Sequence, residues 1–231
     1  LSGAISQRMQ VLLDGRSLYT PYSFGGVDWS SLTISLEDIE RIEVLRGSNS
    51  ASYGANAFLG VANIITKSAA QSTGLHTSLS VGSNQIRDGV VRFGGRSTNW
   101  QWRILGGSRQ DDGLLNLKDH YRNNFLDLRS ELQLNESDEL SLLMGINKSK
   151  SEIGFARSVI DRERSEKTDS SFGLLRWRRT LSPDHEISIT ASRTRDGGED
   201  RFEIPITSDA LVIDYGREAV RDSLEYQHFL G

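Results

Sequence analysis

Strict period-two alternation of apolar and polar residues governs most of this 231-residue chain and constrains its fold more than any other feature. Leu75, Thr77, Leu79 and Val81 alternate with His76, Ser78 and Ser80. Val91 and Phe93 flank Arg92, and Trp100, Trp102 and Ile104 flank Gln101 and Arg103. Leu126, Leu128, Leu132 and Leu134 oppose Asp127, Arg129, Glu131 and Gln133. The pattern returns at 140–146, 187–191 and 224–230. Only 170–180 breaks it, with Leu174 beside Leu175 and Trp177 among arginines. Eight strands follow, each with one apolar and one polar face.

The connections sort by length. After a short link near 83–87, very short, long, short, long, short and long connections succeed one another, at 97–98, 110–123, 135–138, 151–168, 182–184 and 196–219. Short turns on one rim and long loops on the other describe an outer-membrane β-barrel, whereas Greek-key sandwiches do not sort loop length by rim. Composition agrees: Gly numbers 22 against Pro 3, and no apolar run approaches the ~18 residues of a membrane helix. A formal charge of −4 excludes a basic nucleic-acid binder, and zero cysteines exclude disulfide scaffolds and thiolate metal sites. The polar faces carry Arg92, Arg103, Arg129, Arg176 and Arg178, and the chain has 22 Arg to 5 Lys. Arginine suits a crowded, hydrogen-bonded polar interior.

Before residue 67 the chain changes character. Residues 9–13 read as a buried strand, Asp14-Gly15 as a tight turn, 36–40 as a short helical turn, and 41–46 and 60–67 as strands. Between them, 16–31 form a polar, aromatic loop. This is a small α+β unit. The expected fold class is therefore mainly β: a small α+β portion, then antiparallel transmembrane barrel strands, about eight of them.

Three spaced segments, Leu36 to Gly47 (LEDIERIEVLRG), Ser50 to Ala57 (SASYGANA) and Gly60 to Lys67 (GVANIITK), resemble the end of the plug domain of TonB-dependent outer-membrane receptors; Val11 to Gly15 (VLLDG) fits the same family. The likeness covers about residues 7–68. Family members usually carry Pro where Ser48 stands, which loosens that turn. The resemblance implies a plug portion at 1–68 and early barrel strands at 69–231, in a Gram-negative outer membrane. The first half of the plug and the segment that engages the TonB energy-transducing complex are expected to lie outside this chain, as are most barrel strands. Eight strands enclose too little space for a plug, and plugged barrels have about 22.

The resemblance implies active transport of a scarce ligand, a ferric siderophore or other metal chelate or a cobalamin, with outer-membrane lipid around the barrel and no enzyme activity or cofactor. Tyr19, Tyr22, Phe24, Asp28 and Trp29 fall on a ligand-facing apical loop, where rigid aromatics either bind flat ligands at low entropic cost or pack against the barrel wall or the plug core. Glu43 and Arg46 fall on a strand facing the barrel wall and are expected either to lock plug to barrel or to pair within the plug. Asp14, Gly15, Gly47, Tyr53, Gly54, Asn56, Gly60 and Asn63 form the turn-building motif. The histidines His76, His120, His185 and His228 lack metal-ligand spacing. Asp111, Asp112 and Asp119 lack an EF-hand pattern and read as a solvated turn. A second reading is a soluble β-rich glycan-binding module stacking sugars on Trp100, Trp102 and Trp177. The direction of those tryptophans separates the two.

Overall fold

The computed structural model describes residues 8–20, 26–48, 53, 56–114, 117–159, 161–206 and 209–231. Tyr22, Phe24 and Gly54 lie outside the described residues. The first part forms a four-stranded sheet from β1 (Met9–Leu13), β2 (Arg16–Ser17), β3 (Ile39–Arg46) and β4 (Gly60–Thr66), in the order β2-β1-β4-β3. β1 runs parallel to β4, and the other pairings are antiparallel. Asp14 (φ 51°) and Gly15 (φ 87°) both take the left-handed conformation that a two-residue hairpin turn requires. A 3-10 turn at Leu36–Asp38, capped by the Ser35 hydroxyl accepting from Glu37 N, leads into β3. Leu13, Ile34 and Ile64 form one small core, and Leu12, Ala57 and Val61 another.

The second part is one eight-stranded antiparallel sheet. It comprises β5 (Gly74–Val81), β6 (Arg87–Arg96), β7 (Trp100–Asp111), β8 (Tyr121–Gln133), β9 (Asp138–Ile153), β10 (Arg164–Ser182), β11 (His185–Glu199) and β14 (Arg217–Leu230). Each strand pairs with the next, except that β11 passes to β14 across a separate hairpin of β12 (Arg201–Ile206) and β13 (Asp209–Asp214). β5 and β14 are the two edges, so this wall is not closed. Turns 97–99, 134–137 and 183–184 share the lower rim. Connections 112–120, 154–163 and 200–216 share the upper rim, with the short link 82–86. This is the sorting read from the sequence.

The strands are longer than their apolar stretches. β10 begins at Arg164, inside the segment expected to be loop, because strand pairing continues above the point where apolar side chains stop. Register fixes the two faces. Leu79, Val81, Phe93, Ile104, Leu126, Met144, Ile146 and Leu224 are exposed on the outer face. The inner face is mostly polar; Val90, Leu105, Phe125, Leu143 and Leu174 are buried there, and Phe172 also faces inward. The adjacent leucines are thereby explained: Leu174 points inward and Leu175 outward. The small sheet lies against this inner face. Among the described residues no helix is long and apolar enough to cross a membrane, so any crossing is by strands.

Gly60 sits where β4 meets β3, and a β-carbon there would lie 2.5 Å from the Leu45 carbonyl oxygen. That neighbour is backbone and cannot swing aside. Gly60→Ala is expected to destabilise the small sheet by about 1–3 kcal/mol, read as faster amide exchange in β3 and β4; unchanged exchange would contradict the close approach.

Candidate functional site

The sequence places a carboxylate in the turn after β1 and a threonine at the end of β4, and the parallel pairing brings them together. Asp14 accepts from Thr66 N at 2.9 Å and from the Thr66 hydroxyl at 2.8 Å. Two arginines of the wall reach the same threonine oxygen, Arg129 at 2.9 Å and Arg103 at 3.3 Å. Arg129 also lies 3.5 Å from the Asp14 carboxylate. The plug's other carboxylate here, Asp38, is 1% exposed and pairs with Arg92, with Arg103 at 4.0 Å. Arg103, itself 1% exposed, faces Asp127 at 3.6 Å, and Asp127 accepts from Thr33 at 3.4 Å. Glu131 accepts from Arg129 and from Ala69 N.

A second set of wall arginines serves the plug backbone. Arg176 donates to the Asp14 carbonyl at 2.8 Å and Arg103 to Lys67 O at 3.0 Å. Arg221 donates to Ser17 O and Tyr19 O at 2.7 and 2.8 Å, and Arg109 to Leu32 O and Ile34 O. Several of these carbonyls belong to non-strand segments, where burial without a partner would be costly. The guanidinium fork suits this task because it offers several donors in fixed directions.

Above this network, on the side of the long loops, a cavity of about 40 Å³ lies between plug and wall. Arg16, Asp28, Thr194, Asp196 and Arg221 help line it. Arg16 stacks 3.8 Å over the Phe172 ring. Burial, then the neighbouring Arg221 charge, lower the Arg16 guanidinium to about 10, so it stays charged at neutral pH. Below the network a larger polar space of about 460 Å³ is lined by Gln101, Glu131, Glu139, Arg176 and Arg178, among others.

The expected site residues divide. Asp14, Gly15, Gly60 and Asn63 build the turn and the close strand contact; Asn63 Oδ1 accepts from Gly15 N at 3.3 Å. Gly47 (φ 101°) and Asn56 (φ 71°) take left-handed turn conformations, and Tyr53 is exposed. Tyr19 is placed in the plug core instead of on an open apical surface: it is 5% exposed, packs with Val11 and Val27, and its hydroxyl donates to Met9 O at 2.6 Å. Asp28 is half-buried at the upper cavity, and Trp29 is exposed. Glu43 accepts from Arg41 on its own strand at 2.8 Å, the within-plug pairing, and Arg46 is exposed at the end of β3. Neither makes an ion pair with a wall strand among the described residues.

Arg92, Arg103, Arg129 and Arg176 do meet the plug, while Arg178 pairs with Glu139 within the wall. Asp38, Thr66, Arg16, Arg109 and Arg221 were missed. Strand parity could have found Arg109, which shares the face of Arg103, and nothing local marks Asp38. In the loop 112–120 the carboxylates of Asp111 and Asp119 accept from Gly113 N and Leu114 N, as in a self-capped turn.

The tryptophans settle the choice between a membrane wall and a glycan groove. Trp100, Trp102 and Trp177 point outward near the lower rim, as does Tyr226, with Trp177 on a strand three away from the other two. A belt of outward aromatics at the short-turn rim marks a membrane interface, not a sugar groove. The structure thus defines a class, a transmembrane β-wall with a plug sheet seated on its inner face. Residues 1–61 match the family model of the TonB-dependent receptor plug domain. A vitamin B12 transporter of Vibrio vulnificus is 34% identical over 88 residues, 38% of this chain and 14% of the relative. A vitamin B12 transporter of Vibrio cholerae is 30% identical over 112 residues, 48% of this chain and 18% of the relative. The ferric yersiniabactin uptake receptor of Yersinia pestis superposes with a TM-score of 0.76 at 16% identity, over 97% of this chain and 37% of that one. The ferric-catecholate import receptor of E. coli gives 0.69 at 15% identity, over 96% and 39%. Residues 1–61 thus match the plug domain of TonB-dependent receptors, and the chain as a whole shares the fold of such receptors of the Gram-negative outer membrane. It spans less than a fifth of the length of these curated relatives.

Two predictions follow from the geometry. Arg103→Met leaves Asp38 and Asp127 buried without their shared cation and is expected to weaken plug seating by about 3–5 kcal/mol. Arg178→Met, which breaks only a half-exposed wall pair, is expected to cost under about 1 kcal/mol; equal effects on protease resistance of the plug would contradict the assignment. Glu37, exposed on the plug, is held below its ordinary value of 4.5 chiefly by its hydrogen bond with His76, 2.5 Å away on β5, with help from Ser78. Its folded pKa is depressed, so this contact contributes above the ordinary value and is lost as pH falls through the lower folded one. In His76→Gln, the Glu37 carboxyl is expected to titrate higher in an NMR series, and an unmoved titration would dismiss the contact.

Proposed function

We propose that this chain is the plug-bearing part of a receptor that takes up a scarce metal chelate across the outer membrane, the plug moving when an energised TonB partner pulls it. What carries the reading is the character of the plug–wall contact. It is built from buried hydrogen bonds and ion pairs with few apolar residues, and water can replace such contacts when the plug shifts. A purely apolar seat would offer no such exchange.

The ligand side is the upper face of the plug around this cavity, which at about 40 Å³ is too small to hold a chelate itself. Arg16 and Arg221 give it positive charge, offset in part by Asp28 and Asp196, which suits a chelate bearing carboxylate, catecholate or phosphate groups. Trp29 lies nearby on the exposed plug surface. The curated sequence relatives are vitamin B12 transporters, and two similar folds are ferric-chelate receptors. Metal chelate is the ligand class these share. Glu43 and Arg46, on the outer edge strand of the plug sheet, are proposed to meet the barrel wall in the full-length protein.

Cells expressing the full-length protein should accumulate a labelled metal chelate only while the proton-motive force is intact. Arg16→Gln is expected to weaken chelate binding about tenfold, the worth of one charge-assisted hydrogen bond. Accumulation that persists without the proton-motive force would overturn the transport reading.

A further inference from the structure

The four histidines are scattered in the sequence, yet the fold brings two of them together. His185 opens β11 just after the lower turn 183–184, and His228 stands near the end of β14. The register sets His185 opposite Leu230 and Ile187 opposite His228, so the two imidazoles are diagonal neighbours on one face of the ladder. That face is the outer one, because it also carries Ile189, level with Trp177 on β10 and with Tyr226 on β14. The two Nε2 atoms lie 2.6 Å apart, the ring centroids 4.8 Å apart, and the ring planes are tilted by 34°. Tyr226 continues the column, its ring 6.4 Å from that of His228.

Imidazole is the commonest protein ligand for transition metals, and here two ring nitrogens converge. A metal ion about 2.0 Å from each nitrogen holds them about 2.8 Å apart at a right angle and about 3.3 Å apart at a tetrahedral one. The observed 2.6 Å is nearer the right angle, which is the geometry of copper(II) and nickel(II) in a square plane. Copper(II) is the tighter binder of the two at nitrogen ligands. His228 is exposed and His185 half-buried, so a small rotation of either ring is free to open the gap. Arg179, opposite Ile187 on the same face, turns toward β9, where both Asp138 oxygens accept from it, so its charge is already answered. No group of three or more His, Asp or Glu side chains forms a metal cluster among the described residues. The lower rim carries the short turns and is therefore the periplasmic one, where the wall meets water.

We propose that His185 and His228 form a two-imidazole site for copper(II) at the periplasmic rim, tying β11 to β14. The ion takes the Nε2 lone pair of each ring, and water completes its square plane. In the metal-free pair one Nε2 donates its proton to the other. On binding, the donor ring carries its proton on Nδ1 instead, so both rings stay neutral and no net proton is released. The two ligands stand 43 positions apart in the sequence, which is why no metal-ligand spacing marks them there.

The test uses the full-length protein in detergent micelles, with copper(II) sulfate as the probe, read by equilibrium dialysis and by electron paramagnetic resonance. The native protein is expected to bind one copper(II) more than His185→Gln does, with a two-nitrogen hyperfine pattern that the variant lacks. His228→Gln and the double variant should match His185→Gln, because loss of either ring breaks the chelate and weakens binding about a hundredfold. His120→Gln, which removes an imidazole paired with Asp112 in an upper loop, should leave the extra copper in place. Unchanged heat-resistant migration on gels controls for folding, and either single variant suffices if the double one fails it. Equal copper binding by the native protein and His185→Gln, or a loss in His120→Gln as large as in His185→Gln, would overturn the site.

Discussion

The structure depends on wall arginines that serve as hydrogen-bond partners for the plug's backbone carbonyls and carboxylates. Among the described residues the plug sheet has four strands, one only two residues long, with long non-strand segments leading into β3 and β4. Carbonyls at Asp14, Ser17, Tyr19, Leu32, Ile34 and Lys67 turn toward the wall. Each would be expensive to bury alone. Arg103, Arg109, Arg176 and Arg221 answer them, while Arg92 and Arg129 take the carboxylates. The plug is thereby held by directed, largely buried polar contacts, which fix its position without requiring a large apolar interface.

This constraint explains the inside-out patterning of the chain. A wall in lipid must place apolar side chains outward, so its inner face is left polar and becomes the plug's seat. The inward apolar exceptions then gain meaning. Val90, Leu105 and Phe125 cluster on the inner face, and Leu143 and Leu174 are buried there too, in the stretch of wall that also carries Arg103 and Asp127. The arginine-rich, lysine-poor composition follows as well. Buried forks need arginine, whereas most of the few lysines stand in loops or on the upper outer face, where a compact hydrated charge suffices.

Much of this was legible beforehand, for physical reasons. Period-two patterning is direct evidence of facing, so the eight strands and the inward arginines could be read one residue at a time. The Asp14-Gly15 turn was legible because only left-handed conformations close such a hairpin. The strand ends were not legible, since pairing above the membrane needs no apolar residues; β10 therefore starts earlier than its hydrophobicity suggests. Tyr19 stayed open between ligand and core because an aromatic in a loop gives no local sign of whether it packs inward. Asp38 was invisible because its importance comes from Arg92 and Arg103, 54 and 65 positions away, and only the fold joins them.

The account stands or falls on whether plug and wall are coupled through these polar contacts. A double-mutant cycle between Thr66→Val and Arg129→Met, read as hydrogen exchange of β1 and β4 amides in the assembled protein, measures that coupling directly. An interaction energy of about 1–3 kcal/mol is predicted. Strict additivity of the two substitutions would show that the plug is held by something else.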